Sequence, residues 1–288
     1  MRQVGTIREI WRYPVKGMAG ESVQSCLLGE SGLAGDRIWA IRDEQRDEIQ
    51  SCKFRPDLLR CTASWRNGAR VSPEDPVDIL FPDGTVQGSD DPTVHASLTA
   101  LTRHPSRLEP LLPDMDLARF RRYKANGHAW LEELKATFER EEGEPLPDFS
   151  DMPQNARDYV SMPGTFFLVA PIHVITTATM TCFKQIDPDS DWDLRRFRPN
   201  LVIETLPEYE GFAEQAWVGR QLALGDIVLD CTDTTPRCGA TARAQRDFGE
   251  DKGVLRTVVQ RADQNLGIYG QASGDSQVRV GDPVWLHG

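Results

Sequence analysis

Short stretches in which apolar and polar positions alternate recur through residues 1–104, and a period of two belongs to half-buried β-strands. The opening MRQVGTIREIWRYPVKG places Val4, Ile7 and Ile10 in a first strand that stops at Tyr13-Pro14. Val23–Leu28 is a second apolar run. Gly32-Leu33-Ala34-Gly35-Asp36-Arg37 reads as a turn feeding a strand in which Ile38 and Ala40 take one face, Trp39 and Ile41 the other. Leu58–Trp65 and Val77–Phe81 continue the series, with Pro82-Asp83-Gly84 as the next turn. Regular short strands between turn signals predict a barrel or a sandwich.

The pattern then breaks. Residues 111–165 are rich in proline, carry the acidic run Glu139-Arg140-Glu141-Glu142-Gly143-Glu144, and show helical spacing only at Ala129–Phe138. This stretch reads as a connecting segment with an extended loop, an active-site lid being the alternative. Order returns at 166. Phe166–Ala170 predicts a buried strand, and a threonine of Ile175-Thr176-Thr177-Ala178 caps a helix reaching about Gln185. Leu201–Glu204 and Leu222–Cys231 predict strands, the latter containing a Gly225-Asp226 turn. Residues 253–264 predict a helix with Leu255, Val258, Val259 and Ala262 on one face, and Gln277–Leu286 closes the chain around Gly281-Asp282. The predicted fold class is mainly β with some α (α+β). A β-barrel-like domain spans 1–110, a connection 111–165 and a second β-barrel domain 166–288.

Composition narrows the function. The 288 residues are 39% apolar and 27% charged, and no stretch reaches the ~18 consecutive apolar residues of a membrane helix. The start lacks the apolar core and small-residue cleavage site of a secretory signal. A net charge of −11 argues against nucleic acid as the main partner. Basic residues nevertheless gather at Arg195-Arg196-Phe197-Arg198, Arg237 and Arg243. They read either as a pocket for a small anion or as a solvated face. Six cysteines (26, 52, 61, 182, 231, 238) form no CxxC pair and no Cys/His cluster, so free thiols and a reducing cytoplasm are expected. Structural zinc and iron–sulfur sites are not expected.

Familiar catalytic patterns are missing. There is no GxSxG elbow, no GxGxxG and no P-loop, and His173 lies in an apolar run where a satisfied core histidine is the expectation. What remains is Asp233-Thr234-Thr235-Pro236-Arg237-Cys238. A cysteine leaving a strand at a Pro-containing turn, beside arginine, has a thiolate stabilised by nearby guanidinium charge. One metal-capable thiol without protein co-ligands suits a metal that arrives in its own organic ligand. The protein then supplies the groups that hold that ligand's anionic parts.

Five segments, in order, carry a resemblance: Tyr13-Pro14-Val15-Lys16-Gly17, Gly32–Trp39, Arg196-Phe197-Arg198-Pro199-Asn200, Pro236-Arg237-Cys238 and Val280-Gly281-Asp282-Pro283-Val284. Through them nearly the whole chain resembles the MOSC-domain proteins with a preceding MOSC N-terminal β-barrel domain. These include the mitochondrial amidoxime-reducing component and bacterial relatives. The resemblance implies a molybdenum cofactor (Mo-pyranopterin) in a cleft between the two domains. Cys238 corresponds to the metal-ligating, catalytic cysteine. Lys16 and Arg37 correspond to cofactor-side cations, and Arg198 and Asn200 to the pair that holds pterin and phosphate. Thr235, Pro236 and Arg237 form the turn that carries the thiolate. Two positions depart from the family: Gly17 and Pro236 each stand where relatives carry serine.

The implied activity is oxidoreduction, with N-hydroxylated or N-oxide small molecules as substrates. Electrons come from a separate partner protein, since no iron–sulfur domain follows within the chain. A sulfur-transfer or cofactor-carrier protein using Cys238 as persulfide or ligand is the alternative. A third reading keeps the fold without the cofactor. The local alternatives are a surface-turn Lys16, an Arg37–Asp36 ion pair, Arg198 stacked on Phe197, and Cys238 as core bulk.

Overall fold

In the computed structural model, which describes residues 1–287 except 69–71, 73, 114, 125–127 and 151, the chain is mostly strand with five α-helices among the described residues. In chain order the elements begin with β1 (Arg2–Arg12), β2 (Glu21–Val23), β3 (Ser25–Gly29), β4 (Gly32–Leu33), β5 (Trp39–Asp43) and β6 (Glu48–Gln50). Then come β7 (Thr62–Trp65), β8 (Val77–Leu80), β9 (Val86–Gly88), α1 (Val94–Thr102), β10 (Ser106–Pro110), α2 (Trp130–Ala136) and α3 (Gln154–Asp158). The last third holds β11 (Ile172–Thr176), α4 (Thr177–Ile186), β12 (Leu201–Thr205), β13 (Gln221–Leu224), β14 (Ile227–Pro236), α5 (Lys252–Arg261), β15 (Asn265–Ser273), β16 (Ser276–Arg279) and β17 (Pro283–Leu286).

Seven strands close into a barrel in the order β12-β11-β15-β14-β13-β17-β1, and β1 pairs back onto β12. Closure leaves no unpaired edge among these staves. Each stave turns apolar residues inward. Val4, Ile7 and Ile10 of β1 meet Val174, Leu201, Ile203, Leu229, Ile268 and Val284, all buried. Only β11 and β12 run parallel, and α4 supplies the crossover that parallel neighbours require. Thr176 caps α4 by accepting from the Thr179 N–H, as the sequence predicts.

The first strand and the C-terminal strands therefore share one barrel. β1 pairs antiparallel with β12 (Ile10 opposite Leu201) and with β17 (Gln3 opposite Trp285). Conversely, β16 leaves the barrel to pair with β3. The remaining early strands form three-stranded sheets, β10-β5-β6 and β7-β8-β9. Their core is Val15, Met18, Ile41, Trp65, Val77, Ile79 and neighbours, with Val94 and Leu98 of α1 packed against it. α4 and α5 cover a third cluster, in which Phe183, Trp192 and Phe197 stack.

Several local expectations change. Pro56–Arg60 is a 3-10 turn, because Pro56 fixes its start; only Thr62–Trp65 of the predicted Leu58–Trp65 run is strand. Phe166–Ala170 is irregular, and the strand begins at Ile172 beyond Pro171. Phe166 is buried there while Leu168 and Val169 face outward. The 222–231 run is a hairpin, folded at Gly225 with φ +63°. The helix predicted to reach 264 ends at Arg261, because Asp263 and Gln264 adopt positive φ. Among the described residues no helix is long and apolar enough to cross a membrane.

Candidate functional site

The strands that build the barrel deliver the candidate residues to one of its ends. β1 runs out at Arg12 into Tyr13–Gly17. β12 is entered from Arg198-Pro199-Asn200, and β14 runs out at Thr235-Pro236 into Arg237-Cys238. Because β1 and β12 are antiparallel, the exit of one lies beside the entry of the other. Two register shifts distort β14, at Cys231/Asp233 and Thr234/Pro236, and Pro236 has no N–H to continue the ladder. The chain leaves the sheet there, with Cys238 at the head of a short 3-10 turn, Gly239–Thr241.

Lys16, Gly17, Arg37, Arg198, Asn200, Thr235, Pro236, Arg237 and Cys238 all line one cavity of about 180 Å³. Cys238 is free and partly exposed, so it is neither core bulk nor a bare surface residue. Both amides around it are clamped by the connecting segment. The Gly239 N–H donates to the Thr137 carbonyl (3.0 Å), and Arg140 Nη2 donates to the Arg237 carbonyl (2.9 Å).

Lys16 is buried, 6% exposed, with Nζ donating to the Phe166 carbonyl at 2.6 Å, which replaces the surface-turn reading. Burial, and then the charge of Arg37, pull the Lys16 ammonium down to about 7. Arg37 makes the local ion pair with Asp36, and also reaches Asn200 Oδ1 at 3.4 Å. Asn200 in turn donates to Asp36 Oδ2 (3.0 Å) and to the Trp11 carbonyl (3.2 Å). It accepts from the His173 N–H (3.2 Å), so this side chain ties β1, β11 and the Asp36 turn together. Arg198 lies over the Tyr13 ring, 4.3 Å from its centroid, and donates to the Met18 carbonyl. Its predicted partner Phe197 stacks instead with Trp192 and lies beneath Arg237.

Arg37 and Arg198 both hold left-handed backbone conformations, φ +52° and +55°. Non-glycine residues pay for that geometry only where the surroundings impose it, as functional sites do. Gly17 sits at φ +87°, where a Cβ would lie 2.8 Å from the Cys52 amide nitrogen. The serine expected from the resemblance has no room on this backbone.

The cavity's charge is one-sided. Lys16, Arg37, Lys53, Arg196, Arg198 and Arg237 line it, and no carboxylate does among the described residues. Arg196 is a brace, bound to Asp191 and to the carbonyls of Thr241, Arg243 and Gly249. Arg195 and Arg243, expected in the same basic pocket, pair outside it with Asp193, Asp247 and Glu139. Lys16, Lys53, Arg198 and Arg237 make no ion pair among the described residues. Burial weakens the charged forms of Arg198 and Arg237. Two polar atoms there have no hydrogen-bond partner, Thr235 Oγ1 and Arg237 Nε. Unpaired buried cations cost several kcal/mol each, and the cavity offers positive charge and free hydrogen-bonding atoms to whatever occupies it.

Three lining residues escaped the sequence reading. Cys52 and Lys53 follow β6, and burial pushes the Cys52 thiol up, which disfavours its thiolate. Tyr269 of β15 lies opposite Asp233, its hydroxyl also raised by burial. No motif marks these positions; the barrel brings in Tyr269, and the segment after β6 of the β10-β5-β6 sheet brings in Cys52 and Lys53. His173 is buried against Arg237 and the Leu266 carbonyl, with its protonation driven well below the ordinary range by burial and by Arg237. It stays neutral, and it lines the cavity beside Arg237 instead of being enclosed in the core alone. Among the described residues, no group of three or more His, Cys, Asp and Glu side chains assembles as a metal site.

Comparison with known proteins matches this architecture. The rat mitochondrial amidoxime reducing component 2 (Rattus norvegicus) is 24% identical over 310 residues, covering 99% of this chain and 84% of its own. The mouse mitochondrial amidoxime-reducing component 1 (Mus musculus) is 24% identical over 317 residues, covering 100% and 84%. A solved structure, YiiM from Geobacillus stearothermophilus, shares 13% identity over 41% of this chain and 55% of its own at a TM-score of 0.31, too slight a likeness to inform the fold. Residues 4–102 match the MOSC N-terminal beta barrel domain and residues 163–285 the MOSC domain. The chain therefore carries a MOSC N-terminal beta barrel domain followed by a MOSC domain.

Proposed function

We propose that this protein is an oxidoreductase that holds a molybdenum cofactor in the cavity around Cys238. On this reading it reduces N-hydroxylated or N-oxide compounds with electrons from a separate donor protein. The observation that carries the reading is the set of four cations without acidic partners among the described residues, Lys16, Lys53, Arg198 and Arg237, around one partly exposed free thiol. The residues fit such a group. Arg198, Arg237 and Lys16 would bind its phosphate and polar edges, Thr235 and Arg237 would satisfy their unpartnered atoms on it, and Cys238 would give the protein's single metal ligand. When bound, the cofactor supplies the two-electron chemistry of N–O reduction. The chain's part is to bind, to orient and to exclude water. The clamp from Thr137 and Arg140 fixes the cysteine turn, while Asn200 and Asp36 hold Arg37 in register. The names of the two mitochondrial relatives favour amidoximes within the substrate class. Six free cysteines accord with a reducing, cytoplasmic setting.

The test is elemental analysis of protein produced in a cofactor-competent host, beside Cys238→Ala, with pterin fluorescence after acid release. About one molybdenum per chain in the wild type, lost in the variant, is the expected result. Neither metal nor pterin in the wild type removes the oxidoreductase reading. A gain of one sulfur on Cys238 without metal would favour sulfur transfer in its place.

A further inference from the structure

Beside the cationic cavity lies a second cleft of about 410 Å³, and the connecting segment builds most of it. Leu134 and Phe138 come from the α2 region, Phe149 and Met152 from the loop beyond, and Ile49 and Phe54 from the N-terminal unit. Phe138 and Phe149 meet edge to face, with ring centroids 5.8 Å apart. This is the size and lining of a pocket for a small organic molecule. It also touches the cavity that holds Cys238: Lys16, Ser51, Lys53, Leu168, Val169, Pro236 and Tyr269 border both. A molecule seated in the cleft would reach past Pro236 toward the cysteine turn.

The polar groups of this cleft are one-sided too. Its charged lining is Lys16, Lys53 and Arg122, and no carboxylate lines it among the described residues. The Lys53 ammonium sits 4.9 Å from the Phe138 ring centroid, and Arg122 lies 4.6 Å from the Trp130 ring centroid. Lys53 is thus turned against an aromatic face of the cleft wall, and Arg122 against a ring just outside it. An apolar body gains from burial against this wall, whereas a positive head group meets only like charge.

Resting on the oxidoreductase reading above, we propose that this cleft seats the substrate's organic body. It selects substrates with an aromatic or similarly apolar body and a neutral or anionic reacting group, and it excludes cationic ones. Amidoximes are neutral at neutral pH, whereas amidines are protonated cations of nearly the same shape. The cleft therefore separates the two by charge alone.

Isothermal titration of the purified protein with benzamidoxime and benzamidine tests this. Heat is read without turnover, and molybdenum content is measured on the same sample, so loss of the cofactor reading and loss of this one are distinguishable. Benzamidoxime should bind at least about tenfold more tightly than benzamidine, and the gap should narrow at high salt. Leu168→Glu, at a rim position 43% exposed where folding tolerates the change, should narrow the gap by drawing the cation. Phe149→Ala, also partly exposed, should weaken benzamidoxime several-fold. Equal or tighter binding of benzamidine by the wild type overturns the proposal, as does benzamidoxime affinity unaffected by Phe149→Ala.

Discussion

Replacing Lys16 by Met should stabilise the ligand-free protein, and by an amount that depends on pH in a stated direction. The ammonium is buried beside Arg37 and makes no ion pair among the described residues, so the fold disfavours its charged form. Its pKa falls from 10.5 to about 7. Above pH 10.5 both folded and unfolded chains carry a neutral amine, and the residue contributes nothing to the pH dependence. As pH falls from there to about 7, the unfolded chain takes up a proton that the folded chain refuses, and stability drops. Below about 7 both are protonated and the full penalty stays. At about 1.4 kcal/mol per pH unit the penalty is roughly 4–5 kcal/mol, of which about 2 kcal/mol is relieved between pH 7 and pH 8.5. Buried thiols act in the opposite sense above about pH 9, since burial pushes Cys61 and Cys231 up to about 12. The informative quantity is therefore the difference between wild type and Lys16→Met, measured by urea unfolding of metal-free protein at pH 6.5 and 8.5. The variant should gain most at pH 6.5, and its advantage should shrink by about 2 kcal/mol at pH 8.5. A difference that does not change with pH would show that Lys16 titrates normally in the fold. The claim of a cavity short of negative charge would then lose its strongest energetic support.

Three other outcomes follow from the same geometry. Cys238→Ala should abolish metal retention and turnover while shifting Tm by no more than a few degrees, because the side chain is partly exposed; melting curves beside activity check it. Gly17→Ser should cost about 2–3 kcal/mol in chemical unfolding, since it forces a side chain onto φ +87° and against the Cys52 amide. Arg140→Ala should lower turnover with little change in stability, because it frees the Arg237 carbonyl and the Gln264 side chain from one half-exposed clamp. Restoration by Arg140→Lys of most of that turnover would show the carbonyl contact is what counts.

The period-two pattern identified strands where one face met a core: Val4, Ile7 and Ile10 in β1, Leu222 and Leu224 in β13. It failed at Leu58–Arg60, where a short apolar run that reads equally as a strand is a 3-10 turn burying the consecutive Leu58 and Leu59. It failed again at Phe166–Ala170, where an apolar run is half exposed because it borders a cleft instead of filling a core. The candidate site was readable because five short segments carry unusual residue types together: Pro-Val-Lys-Gly, Gly-Asp-Arg, Arg-Pro-Asn and Pro-Arg-Cys among them. Cys52, Lys53 and Tyr269 were not, since a lone cysteine, lysine or tyrosine in a strand or loop looks the same whether it faces solvent, core or cavity. Segment 111–165 read as a connection, and its proline-rich sequence gave no sign that Phe138, Phe149 and Met152 converge on one cleft.

The placement of β1 ties these observations together. The first twelve residues belong to the barrel whose other staves begin at Ile172, and Tyr13–Gly17 reach the cavity only because Ile10 pairs with Leu201. Asn200 then donates to the Trp11 carbonyl, and the Tyr13 hydroxyl donates to the Pro199 carbonyl at 2.9 Å. Lys16 and Arg198 therefore approach one another through barrel closure, and Arg37 joins them from the turn before β5, where its N–H donates to the Tyr13 carbonyl. A loose loop would relax such a cluster by letting one charge swing into water. Here the backbone is held on both sides, with Arg37 and Arg198 in left-handed conformations; Asp36 pairs with Arg37 and Lys16 can lose its proton, and a bound anion would relieve the charge left on Arg198. By linkage, such an anion should raise the unfolding temperature of the protein in proportion to the logarithm of its concentration. Arg198→Met should flatten that dependence without removing the fold. Inorganic phosphate titrated into metal-free protein provides the measurement, and a melting temperature indifferent to phosphate in the wild type would contradict the account.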